Sequence, residues 1–343
     1  MGKADKDSLQ AFFEKTARIV DPKIKEVLGL SVDKKTQELL NYQIEAGGKR
    51  LRPILAALSC LVCGGKLRDV LYPAAGLEIL HTCTLIYDDI IDHSNFRRGK
   101  PTTWFKFGKS IAECVGMDYS AASFYAAGQS KKPAETSRLF AAVMKTIVEG
   151  EILDILFEQS GREDEKYVLK NRYKTLHLRD YLNMVSKKTA SLFQACCEIG
   201  AISASATTTQ KKALKNYGFH LGVGFQIKDD ILDIFGKEKK FGKKIGHDIK
   251  ERKLGNIVIF FALQELSITK RRKLLTILRK KQIKEKDIQE AIELIKETGA
   301  KEKSLSLGGK YVKKAKLQLK SLPPNKWNGL LDELADFIMA RNK

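Results

Sequence analysis

Apolar residues recur three and four positions apart over long stretches of this chain. They do so at Ile288, Ala291, Ile292 and Ile295, and again at Trp327, Leu330, Leu331, Leu334 and Ile338, a spacing that lines up one face of an α-helix. Strand-like alternation between hairpin turns is missing. Prolines stand at 22, 53, 73, 101, 133, 323 and 324, so the strongest helix breaker is absent between Pro133 and Pro323. Breaks fall at "CGGK" (63–66), "RRGKPTT" (97–103), "QSGRED" (159–164), "FGKEKKFGKKIG" (235–246) and "SLPPN" (321–325). Each is rich in glycine, proline or polar residues, and none is long enough to link independent domains. The pattern predicts one all-α domain over residues 1–343, with loops of functional interest after residues 92 and 233.

Two of the apolar runs are acidic where they end. "LEILHTCTLIYDDIID" (77–92) closes on Asp88, Asp89 and Asp92, and "GFHLGVGFQIKDDILDIFG" (218–236) carries Asp229, Asp230 and Asp233. In each D-D-x-x-D motif the outer aspartates share a helical face, with the middle one about 100° around. The three carboxylates of each motif are therefore expected to converge. Like charges brought to ~4 Å cost on the order of 4 kcal/mol per pair at an effective dielectric near 20, so such a site needs cations. Carboxylates without histidine or thiolate partners suit hard ions, and Mg²⁺ typically bridges a few of them to phosphates. One motif alone reads as a solvated acidic helix end. Two, each on an apolar helix, read as a metal and phosphate site.

Charge and composition narrow the partners. The formal net charge is +21, and its positives cluster in stretches such as "KEKKFGKKIGHDIKERK" (237–253) and "KRRKLLTILRKK" (270–281). Such a field attracts anions, either nucleic acid or a phosphate-bearing small substrate, though any single cluster also reads as a solvated lysine-rich surface. With 43% hydrophobic and 30% charged residues, a mainly disordered chain is excluded. Cys60 and Cys63 form a C-x-x-C pair, but no second pair or nearby histidine completes a zinc site. The remaining cysteines lie mostly in apolar runs, and nothing resembling a signal peptide precedes them, which points to a reducing cytoplasm. No charge-free run reaches the roughly 18 to 20 residues of a membrane span, so stable membrane insertion is not expected.

The motif set resembles the trans-type isoprenyl diphosphate synthases of the polyprenyl synthetase family. "GGKRLRP" (47–53), "LIYDDIID" (85–92), "RRGKPT" (97–102), "GEILDI" (150–155), "KKTAS" (187–191) and "FQIKDDILDIFG" (225–236) occur in the family's order. The resemblance implies a homodimeric helical bundle around a deep central cavity, with no nucleic acid among its partners. It implies Mg²⁺ held by Asp88, Asp92 and Asp229, with Asp89, Asp230 and Asp233 close by. Arg97, Lys188, Thr189, Gln226 and a lysine of the 243–253 loop would contact the allylic diphosphate, Lys253 fitting better than Lys243 or Lys244. Lys49, Arg52, His81 and Arg98 would grip isopentenyl diphosphate. From spacing alone, His81 reads as a buried polar residue and Lys188 as a surface lysine. Asp154 stays outside the metal set, and Asp248 would either hold a metal-bound water or cap a helix. Two departures, Gly255 after "KL" and "GMDYSAA" (116–122), touch loop geometry more than the reaction.

Product length in the family depends on side chains below the first motif. Cys83 and Thr84 are small, which argues against a short farnesyl product. Leu80, Leu77, Phe124 or Tyr125 would stop growth further down, and the expectation is a geranylgeranyl product with a longer prenyl chain as the rival. A terpene cyclase usually lacks the second D-D-x-x-D and "GGKRLRP". A silent subunit would have degraded motifs, and a non-catalytic basic helical binding protein would show no Mg²⁺-dependent turnover.

Overall fold

The computed structural model describes residues 8–236 and 245–341. Lys243 and Lys244 therefore lie outside the described residues. The chain opens with α1 (Leu9–Leu28), whose Ser8 cap accepts from the Ala11 N–H, and α2 (Lys34–Glu45), capped by Asp33; both side chains satisfy amides that have no partner within the helix. Then follow α3 (Leu51–Val62), α4 (Leu67–Ile91), a hairpin of β1 (Phe96–Arg97) and β2 (Lys100–Pro101), α5 (Thr103–Phe107), α6 (Lys109–Gly128) and α7 (Pro133–Leu156). α8 (Lys166–Asn171) and α9 (Leu178–Val185) lead into a π-helical turn, Ser186–Ala190. α10 (Ser191–Ser203), α11 (Thr208–Phe235), α12 (His247–Lys250), α13 (Ile257–Glu265), α14 (Ile268–Leu278), α15 (Glu285–Lys296), α16 (Ala300–Gln318) and α17 (Lys326–Ala340) complete the all-α architecture. Among the described residues the short hairpin and an isolated antiparallel bridge between Glu158 and Lys253 depart from it, and no alternating apolar pattern announces a pair of two-residue strands.

The residues group into two compact units. The first comprises the chain as far as Lys145 with Leu192–Phe219 and Lys314–Asp336; the second comprises Thr146–Ser191, His220–Lys313 and the residues from Phe337 onward. In the first unit α4 packs against α1, α3 and α6. It is long and apolar enough to cross a bilayer, yet 67% of its apolar window is buried by protein, which makes it a core helix. Ile79, Cys83 and Ile86 of α4 join Val20, Ile24, Leu40 and Tyr119 in one cluster. In the second unit α15 packs against α12, α13 and α14 through Ile288, Ala291, Ile292 and Ile295, all buried. Each of these isoleucines contributes about 1.5–3 kcal/mol by leaving water. In α17, Leu330, Leu331, Leu334 and Ile338 are buried as their spacing predicts, and Trp327 is half-buried.

Candidate active site

The first acidic motif ends α4. Asp88 and Asp89 lie in its last turn and Asp92 is the C-cap residue. Carboxylates there oppose the helix dipole, which adds to their mutual repulsion. The hairpin supplies the compensation. Its turn residues Arg98 and Gly99 have φ of 54° and 76°, the left-handed pair that a tight two-residue hairpin of this kind demands. Arg97, paired across the hairpin with Lys100, places Nε and Nη2 each 2.8 Å from Oδ1 of the buried Asp89. Burial alone would lower the Arg97 pKa, but Asp89, then Asp88 and Asp92, raise it. Arg98 donates from Nη1 to the Gly47 carbonyl, which ties the hairpin to the "GGKRLRP" loop.

That loop distributes its cations by depth. Arg50 is buried, 2.6 Å from Asp21 and 3.3 Å from Glu78, and it also donates to the Ile44 carbonyl. Lys49 is exposed and Arg52 half-buried, with the Arg52 guanidinium 5.3 Å from the Phe193 ring centroid. Burial, followed by the charges of Arg52, Arg98, Arg97 and Arg50, holds His81 well below the usual imidazole pKa. His81 is therefore neutral at physiological pH and able both to donate and to accept a hydrogen bond. Arg52, His81 and Arg98, expected together at isopentenyl diphosphate, thus share one electropositive environment with Arg97, expected at the allylic diphosphate. Arg50 and Glu78 beneath them were not predicted.

The second motif lies within α11 and not at its end, since the helix continues to Phe235. Asp230 is buried and accepts from Tyr181 OH at 2.8 Å, Gln226 Nε2 at 2.9 Å and the Ile257 N–H at 2.9 Å. Burial, with Asp248 adding to it, pushes its pKa well above the carboxylate range. Asp233 accepts from the backbone N–H groups of His247 and Asp248 at 3.0 and 3.1 Å. Asp229 is the most open of the three, with its side chain 33% exposed and 2.9 Å from Arg341. The expected convergence of three carboxylates is thus corrected for this motif. Packing turns Asp230 and Asp233 toward protein donors, and Asp89 is likewise taken up by Arg97.

The "KKTAS" stretch overlaps the π-helical turn, and Gly150 of α7 permits it to come close. A Cβ at Gly150 would lie 2.3 Å from the Lys188 nitrogen. Lys188 Nζ pairs with Glu151 at 2.6 Å and Asp154 at 2.7 Å, while Lys253 Nζ pairs with the same Asp154 at 3.0 Å and Glu251 at 2.9 Å. Burial would raise the Asp154 pKa, but the two ammonium groups override it and bring it down to about 2. Asp154 therefore holds Lys188 and Lys253 side by side. Thr189 donates to Gln226 Oε1 at 2.8 Å, fixing the amide that serves Asp230. Asp248 accepts from Asn256 at 2.8 Å. His247, Asp248 and Glu251 bring ligand atoms within 4.8 Å of one another, but Glu251 is already paired with His247 and Lys253.

Below the first motif, Leu77, Leu80 and Cys83 are fully buried. The Cys83 thiol donates to the Gly116 carbonyl at 3.2 Å, toward α6, leaving the half-buried Thr84 on the face of Asp88. Phe124 meets Phe140 in a tilted ring contact, while Tyr125 is 46% exposed. Burial raises Cys60 to about 12 and Cys63 to about 11, which keeps both as thiols.

The polyprenyl synthetase family model matches residues 33–295. The chain belongs to the polyprenyl synthetase family. This synthase is 36% identical over 324 residues to a short chain isoprenyl diphosphate synthase of Methanocaldococcus jannaschii, covering 93% of this chain and 94% of that protein. It is 32% identical over 345 residues to a geranylgeranyl diphosphate synthase of Saccharolobus solfataricus, covering 98% and 99%. Its structure is similar to the crystal structure of a Caulobacter crescentus polyprenyl synthase complexed with calcium and isoprenyl diphosphate, with TM-score 0.85, 30% identity and coverage of 99% and 100%. It is thus a trans-prenyl diphosphate synthase acting on isoprenyl diphosphates, in a family that uses a divalent metal. The donor chemistry of Asp88, Asp92 and Asp229 fits such an ion: hard carboxylate oxygens, none fully buried, and one of them already facing a cationic group in Arg341.

Proposed function

We propose that this synthase condenses isopentenyl diphosphate with an allylic diphosphate to give geranylgeranyl diphosphate, as one catalytic domain over residues 1–343. Asp88, Asp92 and Asp229 hold Mg²⁺. Bound there, Mg²⁺ supplies the positive charge that stabilises the departing diphosphate. Lys188, Lys253, Arg97, Thr189 and Gln226 orient the allylic diphosphate, with Lys243 as a further candidate. Asp89 and Asp230 act through their partners, Asp89 by aiming Arg97 and Asp230 by fixing Gln226. Lys49, Arg52, His81 and Arg98 grip the isopentenyl diphosphate. Ionisation of the allylic substrate leaves a carbocation that the isopentenyl double bond attacks, and proton loss gives the longer chain. Apolar walls exclude water from the cation.

The observation that carries the product length is the small Thr84, four residues before Asp88, with Cys83 turned toward α6. A bulky side chain there would stop the growing tail early. The likeness to a geranylgeranyl diphosphate synthase over 98% of the chain supports the same length. Product chromatography after incubation with farnesyl and isopentenyl diphosphates tests it. Geranylgeranyl diphosphate is expected; farnesyl diphosphate as the sole end product overturns the reading, and a longer polyprenyl chain establishes the rival. Arg98→Ala is expected to raise the apparent KM for isopentenyl diphosphate chiefly, and an effect confined to the allylic substrate would show the two diphosphate sites to be exchanged.

A homodimer and a cytoplasmic location complete the proposal. The dimer is supported by an exposed apolar row on α6, where Ile111 is 40%, Met117 68% and Tyr125 46% exposed with Cys114 between them, a face that a soluble monomer rarely leaves open.

A further inference from the structure

Arg341 follows α17 directly and is 9% exposed, an unusual setting for a guanidinium at the edge of a helix. Its Nη2 lies 2.8 Å from the Phe225 carbonyl oxygen and 2.9 Å from Asp229 Oδ1. Its Nε donates to the Ile338 carbonyl at 3.2 Å, and its Cζ stands 3.8 Å from the centroid of the Phe225 ring. Phe225 and Asp229 are one turn apart on α11, so Arg341 covers the face of that helix which presents the most open carboxylate of the second motif. Of the three carboxylates there, Asp230 and Asp233 are satisfied by hydroxyl, amide and backbone donors. Asp229 is paired with the charged Arg341.

We propose that Arg341 is a placeholder cation that neutralises Asp229 in the metal-free synthase and is displaced from it by the incoming divalent ion. The inference rests on the reading of Asp229 as a metal ligand. A divalent ion on Asp229 and a guanidinium 2.9 Å from its Oδ1 repel each other strongly, so entry of the ion favours release of the guanidinium. The geometry makes that release local: the Phe225 carbonyl, the Phe225 ring and the Ile338 carbonyl all still hold Arg341 when the Asp229 contact is lost. Arg341 thus sets a threshold for metal binding, and the last turn of α17 is the element that registers it. Before metal arrives, the same contact relieves the repulsion of a carboxylate near the end of α11.

The test measures metal uptake directly. Mn²⁺ is titrated into the full chain with inorganic pyrophosphate present, and free Mn²⁺ is followed by electron paramagnetic resonance for the parent protein, Arg341→Gln and Arg341→Lys. Removing a competing cation from the partly exposed Asp229 is expected to tighten Mn²⁺ binding roughly three- to tenfold in Arg341→Gln. Arg341→Lys, which keeps the charge without the planar fork, is expected to fall between the two. Thermal unfolding should show Arg341→Gln melting below the parent in EDTA, with the gap closing once Mn²⁺ and pyrophosphate saturate both. Equal or weaker Mn²⁺ binding in Arg341→Gln overturns the proposal. Failure of the parent protein itself to take up Mn²⁺ with pyrophosphate would instead refute the metal reading of Asp229, a result that cannot be confused with the first.

Discussion

The two D-D-x-x-D motifs carry the same residues at the same spacing but are supported by different chemistry. At the first, the buried Asp89 is neutralised by the Arg97 guanidinium presented by a hairpin. At the second, the buried Asp230 is met by neutral donors, a tyrosine hydroxyl, a glutamine amide and a backbone N–H. The first is therefore an ion pair that stays charged, and the second a hydrogen-bonded carboxyl whose pKa is pushed up by burial. A repeated sequence motif fixes which side chains are available. It leaves open how each buried charge is compensated.

The largest expected effect tests what the motifs share. Asp88→Ala and Asp229→Ala should each lower turnover by orders of magnitude while the circular dichroism remains helical; near-normal activity in either would break the equivalence of the two motifs. The next tests how they differ. Arg97→Ala strands a buried carboxylate and should cost about 3–5 kcal/mol, whereas Tyr181→Phe leaves Asp230 two other donors and should cost only about 1 kcal/mol. Urea unfolding of both variants decides, and equal losses would erase the distinction between ionic and neutral support.

Two smaller effects concern pH. Although burial opposes it, the pair of ammonium groups brings the Asp154 pKa to about 2 in the folded chain against about 3.9 unfolded, which corresponds to roughly 3 kcal/mol of stability. Because the folded value is the lower one, this stability is fully present above the unfolded pKa and is lost as the pH falls toward 2. The stability difference between the parent and Asp154→Asn should shrink over that window, and a constant difference would mean that the two lysines do not set the Asp154 charge. His81, depressed by burial and the surrounding arginines, should show no imidazole titration by NMR near pH 6.5. Its sign is opposite to that of a salt-bridged histidine: the unfolded chain takes up the proton first, so His81 makes the fold less stable as pH drops below the unfolded value. Titration at the ordinary histidine pKa would place His81 outside the electropositive cluster.

Much of the candidate site was legible in the chain. The carboxylates, "KKTAS" and "GGKRLRP" all lie on elements whose helical period or loop composition is local information. What escaped is non-local. Tyr181 gives no sign that its hydroxyl reaches Asp230, 49 residues away. "GEILDI" named Asp154 without saying that it would bind two lysines from separate segments. The Arg97–Lys100 hairpin is too short to show an alternating pattern.

The sequence by itself determined that this protein is helical, that two acidic motifs lie on apolar helices, and that both are accompanied by lysine and arginine; periodicity and motif order are enough for those conclusions because they depend on residues a few positions apart. The tertiary structure alone decided that Asp89, Asp230 and Asp233 are occupied by protein donors, that Asp154 holds Lys188 beside Lys253, and that Arg341 sits on Asp229. Those choices depend on which distant segments pack together, and a buried charge accepts whichever partner that packing brings within reach.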